Sequence, residues 1–177
     1  MKYVKNNDIG KVAKNGYDDS RERNALKRFL HEDKDFRDYI FNTFKLNKEL
    51  KYRLVPDPLG KKKVDLGIVE SVTGKLVGLI EVDYFNAWKK DWPKFYKYHH
   101  ILERKDKYWI NNDYPYVAVT FNILRDRMIV TDRETIVKYP VINKEFKSMK
   151  KYDRVRELPL HKSKFFGKGI DKNGNIL

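Results

Sequence analysis

The chain has 177 residues, with 39 Lys and Arg against 25 Asp and Glu, a formal net charge of +14. That length suits one domain with a proper core, and 41% hydrophobic and 14% aromatic residues exclude a wholly disordered protein. The absence of cysteine excludes disulfides and thiolate-based zinc or catalytic sites, and the basic surplus favours a polyanionic partner such as nucleic acid.

The first stretch, Met1 to Tyr17, is polar and reads as a loosely ordered arm. It has no apolar core of the signal-peptide kind, and no run in the chain is long enough to span a bilayer, so a cytoplasmic protein without membrane attachment is expected. Asp19-Ser20-Arg21-Glu22 has the form of a capping box and opens a helical pattern. Leu26, Phe29, Leu30, Phe36, Ile40 and Phe44 recur at spacings near three and four, with an interruption expected around His31-Glu32-Asp33. Leu50 to Val55 reads as a short strand, stopped by the turn Pro56-Asp57-Pro58-Leu59-Gly60.

Two β-rich runs follow, Val64 to Val69 and Leu76 to Asp83, separated by the turn Ser71 to Lys75, and they predict a β-hairpin. Acids are costly in buried strands unless something compensates them, yet this hairpin carries Asp65, Glu81 and Asp83. Glu81 and Asp83 share one strand face, and pairing through the turn brings Asp65 beside them. Three converging carboxylates suit a hard divalent cation, Mg²⁺ with Mn²⁺ as a substitute.

Beyond Asp83, the spacing of Trp88, Trp92, Phe95 and Tyr96 predicts a helix reaching about Arg104, with His99 and His100 on its surface. Tyr116 to Phe121 and Arg127 to Thr131 read as strands, and Ile136 to Tyr139 sits just before the breaker Pro140. The tail from Asn143 to Leu177 reads as a basic extension. Helices, strands, helix and strand in this order predict a single α/β domain with a central mixed β-sheet flanked by helices. No HxH or HxxxH pair supports a zinc hydrolase, and no phosphate-binding loop supports nucleotide-driven chemistry.

Asp65 opening one strand and Glu81-Val82-Asp83 closing the next resemble the PD-(D/E)xK nuclease superfamily, over roughly residues 50–104. The resemblance implies a restriction-endonuclease-like fold and metal-dependent hydrolysis of phosphodiester bonds, with Asp65 and Glu81 as metal ligands. Two departures stand out: Val64 replaces the usual proline, and Asp83 replaces the usual lysine. A literal Pro56-Asp57 lies upstream, but Pro58 follows it, so Asp65 is favoured over Asp57. Asp83 would then add a ligand or act in place of the lysine, with Lys89 as the first auxiliary candidate and Lys90 or Lys94 as alternatives. Glu22 on the first helix is a further candidate for the metal shell. Lys90, Lys94, Lys97, Lys150, Lys151, Arg154 and Arg156 are candidate nucleic-acid contacts.

The expected activity is a DNA endonuclease, acting as a homodimer if both strands are cut. In general character the chain is similar to phage-encoded homing-type endonucleases. A non-catalytic nucleic-acid-binding protein on the same fold and an RNA-processing nuclease remain the alternatives.

Overall fold

The computed structural model describes residues 20–61, 63–146 and 151–167, with Ser20 and Lys151 described by backbone alone. The expected N-terminal arm and its capping residue Asp19 lie outside this range, as does Lys150.

The apolar period of the first segment produces two helices, α1 (Ser20–Glu32) and α2 (Lys34–Thr43). The break falls at Asp33, whose carboxylate accepts the Phe36 N–H at 2.9 Å and so caps α2. Strands β1 (Tyr52–Pro56), β2 (Leu66–Glu70) and β3 (Leu76–Phe85) follow as an antiparallel meander. The chain then crosses over to β5 (Tyr116–Asn122), which pairs with β3 in parallel, and returns through β6 (Arg127–Asp132) and later β9 (Lys164–Gly167). The resulting sheet is mixed, in the order β1-β2-β3-β5-β6-β9.

Its two faces are covered differently. Alternation puts Ile80, Val82, Val117, Val119 and Phe121 against Leu26, Phe29, Phe36 and Ile40 of the helices. The other face, carrying Leu79, Tyr116 and Ala118, packs with Ile101, Trp109, Ile136 and Leu158. Those partners come from a second sheet and two single-turn helices. The sheet is β4 (Tyr98–Leu102), β8 (Lys151–Pro159) and β7 (Val141–Phe146), in that order, and the helices are α3 (Asp106–Trp109) and α4 (Arg133–Ile136). No helix among the described residues is long and apolar enough to cross a membrane.

Several expectations are corrected here. The segment after Asp83 is no helix: residues 86–97 form an irregular loop, and β4 and a 3₁₀ turn (Glu103–Lys105) follow. Among the described residues, long helices therefore flank the sheet on one face only. The pair His99-His100 sits on a strand, and His99 is buried there. Its ring nitrogens meet the hydroxyls of Thr131 at 3.1 Å and Thr120 at 2.8 Å, bracing β4 against β5 and β6. Burial, with the neighbouring His100 charge, pushes its pKa down to about 3, so the brace is neutral. Ile136 ends α4, whose first turn Asp132 caps by accepting the Thr135 N–H at 2.8 Å. Residues 143–146 and 151–167 are no extension, since β7, β8 and β9 belong to the two sheets.

Gly78 shows how tightly α2 seats on β3. A Cβ added there would lie 2.3 Å from ring atoms of Phe44. Gly78→Ala is expected to cost about 1–3 kcal/mol, read as a lower denaturant midpoint with an unchanged slope.

Candidate active site

The hairpin register pairs Leu66 with Ile80, which sets Asp65, just before β2, next to Glu81 on β3. Leu66 and Ile80 face the helices, so the residues beside them face the second sheet. Asp65 is held by the strand it adjoins: its Oδ2 accepts the Val82 N–H at 3.0 Å. The chain returns over this face through β4, and the 3₁₀ turn delivers Lys105. Its ammonium lies 2.7 Å from Glu81 Oε1 and 3.7 Å from Asp65 Oδ1. All three side chains are mostly shielded, between 14% and 20% exposed, so the ion pairs are only lightly screened.

These residues line a pocket of about 210 Å³ with Asp83, His100, Arg104, Tyr116 and Thr120. Glu81 Oε2 and the Tyr116 hydroxyl are buried there without a hydrogen-bond partner. Burial first, and then the Asp65 charge, push the Glu81 carboxyl up to about 8, although Lys105 pulls the other way. Burial and the nearby carboxylates also raise Tyr116 well above its ordinary value. At Glu81, burial and the Asp65 charge thus outweigh the pull of the Lys105 ammonium.

Asp83 occupies the rim. Its Oδ1 accepts the adjacent Tyr84 N–H at 2.7 Å. Surrounding protein atoms raise its carboxyl, the Tyr84 N–H opposes them, and Asp65 adds a further upward push. The residue is exposed, so solvent weakens these influences.

Of the expected trio, Asp65 and Glu81 meet directly and Asp83 borders the same pocket. Among the described residues no three Asp, Glu or His side chains stand close enough together to hold a metal ion between them. The donor set nevertheless fits a cation in one respect: buried Glu81 Oε2 has no hydrogen-bond partner among the described residues.

Other candidates are redistributed. Lys89 is exposed and does not line the pocket; Lys105 holds the position next to the acids that was assigned to it. Lys90, Lys94 and Lys97 are exposed on the 86–97 loop. Arg156 is no surface contact: it is 8% exposed and forks onto Asp106 Oδ2 at 2.7 and 3.2 Å, with a further bond to the Tyr139 carbonyl. Arg154 is open to solvent and pairs with Glu103 at 3.3 Å. Lys151 contributes backbone to β8, and its side chain lies outside the described atoms. Glu22 is tied to the β5–β6 turn and does not line the pocket. It is 1% exposed and receives both Arg125 Nε at 2.7 Å and Nη2 at 2.5 Å from the β5–β6 turn.

Lys105 had no local signal. It stands in the basic run Arg104-Lys105-Asp106-Lys107, far along the chain from either acid. Only the crossover between the parallel strands β3 and β5 carries it over the sheet. Compared with family models, curated proteins and solved structures, the chain matches none.

Proposed function

We propose that the protein is a metal-dependent endonuclease that hydrolyses phosphodiester bonds in DNA. The observation that carries this reading is the group Asp65, Glu81 and Lys105 in one pocket at the end of the β2–β3 hairpin. Two acids and a lysine are what a PD-(D/E)xK site requires, and here the lysine comes from the crossover instead of from β3. The restriction-endonuclease-like fold belongs to the same proposal, supported by helices leading into an antiparallel meander whose third strand pairs in parallel with β5.

Asp65 and Glu81 would hold Mg²⁺, or Mn²⁺ in its place, with Asp83 at the rim as a further oxygen donor. When bound, such a cation supplies Lewis-acid polarisation of the phosphoryl oxygen and a more acidic water. Lys105 donates hydrogen bonds, so it can orient the attacking water and balance the charge that builds on the phosphoryl oxygens. Val82 fixes Asp65 through its backbone N–H, which restricts the carboxylate to one approach. The net charge of +14 supplies the long-range attraction for the substrate. Cutting both strands calls for two copies.

Asp65→Asn is the direct test, because its amide oxygen can still accept from Val82. Nicking of supercoiled plasmid in Mg²⁺ should fall by about a hundredfold or more, with DNA affinity within about threefold of the unaltered protein. Unchanged nicking by the variant, or no nicking by the parent in Mg²⁺ or Mn²⁺, would overturn the assignment.

A further inference from the structure

The row of side chains that starts at the acids does not stop there. Glu81, Asp83 and Phe85 alternate along β3, so they project from the same face of the strand. Phe85 then begins a chain of edge-to-face and tilted aromatic contacts. Its ring centroid lies 4.7 Å from that of Tyr96 at 84°, and Tyr96 lies 4.8 Å from Phe95. The outermost member, Phe95, is 77% exposed, although an aromatic ring of that size is normally covered.

The loop that presents Phe95 is braced. Trp92 packs on Phe85, Trp88 and Phe165 at 5.4, 5.1 and 6.0 Å, and its indole N–H donates to the Tyr96 carbonyl at 2.6 Å. Asn122 holds the Lys89 carbonyl at 2.7 Å, and the Trp88 carbonyl accepts the Ile123 N–H at 3.0 Å. Trp88, only 1% exposed, roots the loop in the core. The same loop carries Lys89, Lys90, Lys94 and Lys97, all exposed. An exposed aromatic ring on a loop that also carries four exposed lysines fits a nucleobase whose neighbouring phosphates are drawn to that loop. A paired base offers no open face to such a ring.

We infer that Phe95, backed by Tyr96 and Phe85, is a stacking platform for an unpaired base. The protein therefore favours single-stranded or locally opened DNA over a fully paired duplex. This rests on the nuclease reading for the direction in which the strand runs, from platform to acids, while the platform itself can be tested without cleavage.

The probe is a short oligodeoxynucleotide, single-stranded or as a blunt duplex. It carries 2-aminopurine at one position and is titrated with the full chain in Ca²⁺. The parent is expected to bind the single strand more tightly and to quench the 2-aminopurine. Phe95→Ala should weaken single-strand binding by about tenfold and abolish the quench, while changing duplex affinity by less than about twofold. Phe95→Tyr should restore both. The exposed position makes unfolding by these substitutions an unwarranted expectation, and melting temperature confirms it. The inference is overturned if Phe95→Ala binds the single strand like the parent, if it loses equally on both forms, or if the parent binds neither. Plasmid nicking is scored separately. Binding through Phe95 without any cutting keeps the platform and removes the nuclease, and cutting that is indifferent to Phe95 does the reverse.

Discussion

Glu81→Gln is expected to abolish cutting and, at the same time, to raise the melting temperature of the protein in EDTA at pH 8. Both effects have one cause. Burial and Asp65 hold the Glu81 carboxyl up at about 8, far above the carboxylate range of an unfolded chain. Between about pH 5 and pH 8 the folded protein therefore binds a proton that the unfolded chain has released. A raised acid of this kind lowers stability as pH rises through that window, and the loss levels off above the folded value. Glutamine copies the protonated carboxyl and removes the dependence. The gain at pH 8 should be about 1–3 kcal/mol, because partial exposure and the lost Lys105 ion pair offset part of it. For a chain of this size that corresponds to roughly 3–10 °C. Nicking should fall about a thousandfold, the loss of about 4 kcal/mol of transition-state stabilisation. Fluorimetric melting from pH 5 to pH 9 and a plasmid assay read the two arms. A parent protein whose melting temperature does not fall across that window would sink the account, and so would a variant that still cuts.

Such a trade of stability for function explains why the hairpin could be read from sequence. Acids placed where strands are otherwise apolar break the local pattern, and Asp65 and Glu81 are that break. The two-residue period put Glu81 and Asp83 on one face, and the turn at Ser71 to Lys75 fixed the register that brings Asp65 alongside. The helix pattern was equally legible, because α1 and α2 bury one stripe each and Asp33 announces the break.

What stayed hidden depended on partners distant in sequence. Strand β8 should alternate apolar and polar, but one of its buried positions is Arg156, neutralised by Asp106 from α3. A buried arginine looks like surface until its carboxylate is known. In β4, His99 fills a core position because Thr120 and Thr131 satisfy its ring. The aromatic loop misled in the opposite way. Trp88, Trp92, Phe95 and Tyr96 have helical spacing, yet they pack edge-to-face or tilted on one another and on Phe85 and Phe165 from strands β3 and β9. Local spacing cannot separate a helix face from a cluster assembled by tertiary contact.

Lys105 is the residue whose removal most sharply separates catalysis from charge balance. As the cation beside Glu81 and Asp65, it does in part what a divalent ion also does: it offsets the charge of the pair and donates to Glu81 Oε1. Lys105→Ala should therefore destabilise the protein in EDTA by about 1–3 kcal/mol, since two shielded carboxyls lose their counter-ion. Glu81 would hold its proton to still higher pH, so the fall in stability between neutral and alkaline pH should extend upward. Adding Mg²⁺ should raise the melting temperature of Lys105→Ala more than that of the parent, because in the parent the ion competes with the ammonium for the same oxygens. Cutting should nevertheless drop by about 10²–10⁴, the usual worth of a positioned proton donor or acceptor, since Mg²⁺ replaces the charge but not the group that orients the water. Lys105→Arg separates the two roles further: it keeps the charge and the stability in EDTA, and its planar fork misplaces the donor. If Lys105→Ala cuts at the parental rate, the lysine is a counter-ion alone. If Mg²⁺ shifts both proteins equally, the ion and the ammonium do not share a site, and the pocket at the hairpin end is not where the cation goes.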